Sequence, residues 1–299
     1  MDAHNQAAIN SRVITTFVAL AFAMSVALSL IVGLTGGYQS QFIGLQFLSM
    51  FIPAAAVLGV RPLMGGAVRI DWHRLPWTYV PVALLLLPVV MHAAMLPVAA
   101  AYEGRLPWQE WLTPQADGLL HSSTERGWGV MTPTGLAGRV VLNATIGVVV
   151  VSALAIFEEI GWRAWLLPRL QARIGARRAV LITAAIWAVW HVPFQLSGVQ
   201  HVDGVSPAML ALTIPFGTFG AGLVIGYLWL RTESIWIVSL AHGASNNWGQ
   251  YAFKYMQFVQ APDLVVVGAG SLAVIVVGVL LLMFGVDSEC VGGRSVNHT

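Results

Sequence analysis

Apolar runs long enough to cross a bilayer recur along the whole chain, separated by short segments in which arginine, proline and glycine collect. Eight stand out, at roughly 13–34, 42–60, 77–99, 140–160, 179–196, 207–229, 234–252 and 264–284. At about 1.5 Å per residue most match a hydrocarbon core of about 30 Å, the fifth being the shortest. The pattern predicts an all-α fold, a polytopic membrane helix bundle of about eight transmembrane helices. The first run, VITTFVALAFAMSVALSLIVGL, exceeds a signal-peptide core and lacks a small-residue cleavage site after it, so it reads as a retained span. Pro53, Pro81 and Pro88 should kink the second and third helices or shift their ends.

The runs divide the chain into three parts. N-terminal spans and a long connection occupy 1–139, a central core 140–255, and a last span with a short polar tail 256–299. The connection at 100–139 holds LPWQEWL, whose tryptophans suit an interfacial segment at headgroup depth.

Composition agrees with the hydrophobic pattern. Of 299 residues 57% are hydrophobic and 9% charged, far too few charges for the surface of a soluble protein of this size. The charges also orient the spans. With the N-terminus inside, ten basic residues (Arg12, Arg61, Arg69, Arg74, Arg169, Arg173, Arg177, Arg178, Arg231 and Arg294) fall on the cytoplasmic side, against four (Arg105, Arg126, Arg139 and Lys254) on the other. That bias places both termini in the cytoplasm. It does not form a basic field for nucleic acid. A single cysteine, Cys290, rules out an internal disulfide and a multi-thiolate metal site.

Ionisable groups inside such spans are costly, and three sets recur. In FEEIGWR the fourth run leads into Glu158, Glu159 and Arg163. Adjacent residues on a helix point about 100° apart, and Arg163 shares a face with Glu159 at i+4. The spacing therefore pairs Glu159 with Arg163 and turns Glu158 toward something else, where it could serve as a base. ITAAIWAVWHVPF carries His191 with Trp187 at i−4, and Pro193 frees nearby carbonyls. SLAHGASNNWG carries His242 with Asn246 at i+4 on one face, and Gly243 and Ala244 permit close helix approach. Counted along the helices, the three sets can meet between mid-membrane and the cytoplasmic side. A carboxylate beside two imidazoles can activate water, alone or on a divalent metal, and an asparagine amide can hold an oxyanion. HExxH and GxSxG are absent, and the single lysine lies away from any candidate serine.

EEIGWR, WAVWH and HGASN, in that order and on separate spans, resemble the EExxxR, aromatic-xxx-His and His-xxx-Asn motifs of the CAAX-protease and bacteriocin-processing (Abi/Rce1-like) intramembrane proteases. Ala164 departs from the pattern, since a glycine often follows the motif arginine. The resemblance implies a catalytic group of Glu158, His191, His242 and Asn246, supported by Glu159 and Arg163. It also implies an integral protein of a bacterial or archaeal cytoplasmic membrane that cuts a membrane-associated peptide or protein within the lipid bilayer. If the reaction is metal-dependent, Glu158, His191 and His242 would hold one divalent ion such as zinc. If it is not, Glu158 activates water directly. Two other classes use the same residues: an ion- or proton-coupled transporter, and a non-catalytic immunity or scaffold protein.

Overall fold

The structure is a computed structural model that describes residues 3–63, 70–104, 114–121, 129–200, 205–255 and 263–286. Among these residues the bundle is built from α1 (Ala3–Leu34), α2 (Ile43–Leu63), α3 (Trp77–Glu103), α4 (Pro133–Ile174), α5 (Ala176–Leu196), α6 (Pro207–Thr232), α7 (Ile235–Tyr255) and α8 (Asp263–Phe284). Seven contain a stretch long and apolar enough to cross a membrane. The exception is α7, which spans 21 residues but is less apolar because it carries His242, Ser245, Asn246 and Asn247. Its position explains why that polarity is tolerated. It lies between α3 and α4, touches α6, and is buried over most of 237–244.

Around it, α6 packs on α5 and α8, α3 on α8, α1 on α2, and α2 on α4. One hydrophobic core runs from Val13 and Phe17 of α1 through Trp162 and Leu223 to Val286 after α8. Large apolar side chains such as Leu34, Leu58, Val149, Leu212 and Phe284 point outward, as expected of a surface that meets lipid. The chain is an integral membrane protein, an all-α helix bundle, and among the described residues the one strand pairing is the antiparallel contact of Leu120–His121 with Val130–Met131.

Proline positions explain several helix ends. Pro53 and Pro81 sit in the first turn of α-helical segments, each preceded by a tighter 3-10 turn, so they start helices where kinks were also open. Pro88 lies inside α3. The fourth span begins earlier than the predicted residue 140. Thr132 caps it by accepting from the Gly135 amide at 3.0 Å, and Pro133 occupies the first helical turn. LPWQEWL at 106–112, the tail from 287 onward and Arg69 lie outside the described residues.

Candidate active site

Local irregularity in α4 places the first motif. From Ile160 to Leu166 the helix widens to a π-turn pattern, and the Leu167 amide reaches the Trp162 carbonyl. Pro168 gives the reason. It has no N–H for the Ala164 carbonyl, and its ring would collide with that oxygen in a regular α-helix. The motif Glu159–Arg163 thus spans the junction between the α-helix and the wider turn.

Two glycines let neighbouring helices close on this stretch. A Cβ on Gly161 would lie 2.9 Å from the Pro53 carbonyl carbon and oxygen, so only glycine admits the α2 backbone there. A Cβ on Gly243 would lie 2.5 Å from the Ser152 backbone nitrogen, so α7 meets α4 one residue after His242.

The expected pairing of Glu159 with Arg163 is present. Arg163 Nη1 donates to Glu159 Oε1 at 2.8 Å, and both side chains are fully buried. The same oxygen takes a second partner that the sequence spacing did not indicate: His242 Nδ1, at 2.8 Å. Glu158 points elsewhere. Its Oε2 accepts the indole N–H of Trp187 at 2.9 Å, and it is 4% exposed.

His191 sits where α5 turns, between the α-helical stretches Ala176–Trp190 and Val192–Leu196. Pro193 tightens this turn, so the His191 amide bonds the Ala188 carbonyl at 3.2 Å and not that of Trp187. The freed Trp187 carbonyl accepts His191 Nδ1 at 2.8 Å. Both histidines therefore engage Nδ1, which leaves Nε2 of each for other work. The Trp187 ring contacts both, edge-on to His191 at 5.5 Å and to His242 at 5.0 Å between centroids. The Arg163 guanidinium carbon lies 4.3 Å from the centre of the same ring.

Glu158, Glu159, Arg163, His191 and His242 are thus joined by contacts among themselves or through Trp187. Asn246 stands apart. It lies one turn beyond His242 on the same face of α7 but is exposed. Its neighbour Asn247 is buried and donates to the Asn143 carbonyl at 3.2 Å. Trp187, identified from the sequence only as the i−4 neighbour of His191, also bonds Glu158. The signal was its indole N–H, a buried donor that must find an acceptor.

A divalent metal would need at least three converging donors of suitable type. Among the described residues no three His, Cys, Asp or Glu side chains are grouped so as to hold one. The arrangement can position a water against a carboxylate, and it can present imidazole and carboxamide nitrogens to a polar substrate.

Residues 140–248 match the model of the Rce1-like family, described as type II CAAX prenyl endopeptidase Rce1-like. The matched segment contains all three motifs, and the resemblance they carry is shown for this part of the chain. No curated protein matches the sequence.

Proposed function

We propose that this protein is an intramembrane endopeptidase that hydrolyses a peptide bond in a membrane-associated protein or peptide, with Glu158 as the base that activates water. The observation that carries the reading is the separation of the two adjacent carboxylates. Glu159 is occupied by Arg163 and His242, whereas Glu158 receives a neutral indole N–H beside two imidazoles. The family description, a prenyl endopeptidase acting on CAAX sequences, supports the same chemistry and suggests a C-terminal, lipid-bearing substrate.

In this reading Glu158 takes a proton from a water whose other hydrogen is held by Nε2 of neutral His191. The water oxygen attacks the carbonyl carbon and the C=O π bond opens to an oxyanion. Asn246 and a protonated His242 face that oxygen with N–H groups. A protonated His242 brings the buried set of two glutamates, Arg163 and itself to zero net charge. The oxyanion then re-forms the C=O bond as the C–N bond breaks, and Glu158 passes its proton to the leaving nitrogen. Glu158 and His242 are buried and His191 is half-buried, so the substrate reaches them past His191 and the exposed Asn246.

The test uses purified protein in lipid vesicles and a fluorogenic peptide ending in a farnesylated CaaX sequence, with an unprenylated copy beside it. Wild type should cleave the prenylated peptide, and Glu158→Ala should lower kcat about 10²- to 10⁴-fold while remaining folded. Cleavage by Glu158→Ala at the wild-type rate would overturn the assignment.

A further inference from the structure

Trp187 touches more of the polar site than any side chain so far given a chemical role. It is 3% exposed and contacts four of the candidate groups by different parts of one rigid ring. The indole nitrogen lies 2.9 Å from Glu158 Oε2. One face meets the Arg163 guanidinium at 4.3 Å from the ring centre. The imidazoles of His191 and His242 stand edge-on to it, at interplanar angles of 73° in both cases. Its backbone carbonyl accepts His191 Nδ1.

We infer that Trp187 is a positioning residue, whose indole N–H holds the Glu158 carboxylate in one rotamer beside the ring that both imidazoles contact. This rests on the reading of Glu158 as the reacting base. A carboxylate on a two-carbon stem has three torsions and, without a fixed donor, samples several wells. A buried indole has two torsions, and here both ring and N–H are locked by neighbours. An aromatic ring alone would fill the space, but it would leave Glu158 Oε2 without its donor. The choice of tryptophan over phenylalanine is therefore the informative one. The N–H donates to the carboxylate and keeps its own proton, because an indole is a donor only.

Two replacements isolate that donor. Trp187→Phe keeps an aromatic ring, and 3-benzothienylalanine incorporated at position 187 keeps the full bicycle with sulfur in place of N–H. Both should lower kcat about ten-fold with KM unchanged, since a hydrogen bond to a charged group is lost while buried surface is kept. Wild-type kcat in the benzothienylalanine protein would overturn the inference, even if Trp187→Phe fails to fold.

A second measurement does not depend on turnover. The indole N–H resonance absent from Trp187→Phe should shift in Glu158→Ala, and an unmoved resonance would also overturn the inference. If Glu158→Ala retains cleavage while this resonance shifts, the contact stands and the proposed role of Glu158 as the base fails.

Discussion

His242 Nδ1 lies 2.8 Å from Glu159 Oε1 and so ties α7 to α4 between residues 83 positions apart in sequence. Because Arg163 reaches the same oxygen, one carboxylate fixes both the cation on its own helix and the imidazole of another. Glu159 resembles the orienting acid of a catalytic triad in this respect, since it selects which imidazole nitrogen is left for the reaction.

Removal of that acid should be felt in stability as well as in rate. Glu159→Ala leaves Arg163 buried without its counter-charge, which is expected to cost about 3–5 kcal/mol. Thermal unfolding in detergent would show this as a large fall in Tm. An unchanged Tm would mean that Arg163 finds another partner.

Gly243→Ala places a methyl group against the Ser152 backbone. Helix α7 must back away from α4, at a cost of about 1–3 kcal/mol for overpacking, and the Glu159–His242 contact lengthens. The expected result is loss of activity disproportionate to loss of stability. Peptide cleavage measured beside Tm separates the two.

Asn246 offers the opposite case. It is exposed, so Asn246→Ala should leave Tm unchanged. If its carboxamide meets the oxyanion, kcat should fall about 10²- to 10³-fold with a smaller change in KM. Equal loss in binding of an uncleavable substrate analogue would instead give it a ground-state role.

Metal dependence can be tested directly. Among the described residues no three His, Cys, Asp or Glu side chains are grouped so as to hold a metal, although Nε2 of both histidines is left open to one. Cleavage should therefore survive dialysis against a strong chelator, with metal content followed by elemental analysis. Loss of activity that zinc restores would assign Glu158, His191 and His242 to a metal site formed on binding.

The bundle was legible because hydrocarbon demands long apolar runs, and each of the eight predicted runs falls on a helix. Seven of those helices are long and apolar enough to cross a membrane, while α7, predicted at 234–252, is made less apolar by its polar residues. The site was legible as polar groups at helical spacing: Glu159 with Arg163, and His191 near a proline. Contacts between helices were not. Nothing in local spacing brings Trp187 to Glu158 or His242 to Glu159, because both depend on how closely α4, α5 and α7 approach. The early start of α4 was hidden because the apolar run begins only at Val140, while Thr132 and Pro133 supply a cap upstream of it.

The tight seat of Gly161 on Pro53 also bears on what can be cut away from this protein. Residues 140–248 contain the motifs, but the wall behind the first of them is α2 backbone, and Phe17 and Ala21 of α1 meet Trp162, Trp165 and Trp190 there. A truncated core would present a bare seam of tryptophan and glycine to lipid. During synthesis, the helices that cover this seam emerge well before the motif they will receive, so the mould precedes the cast.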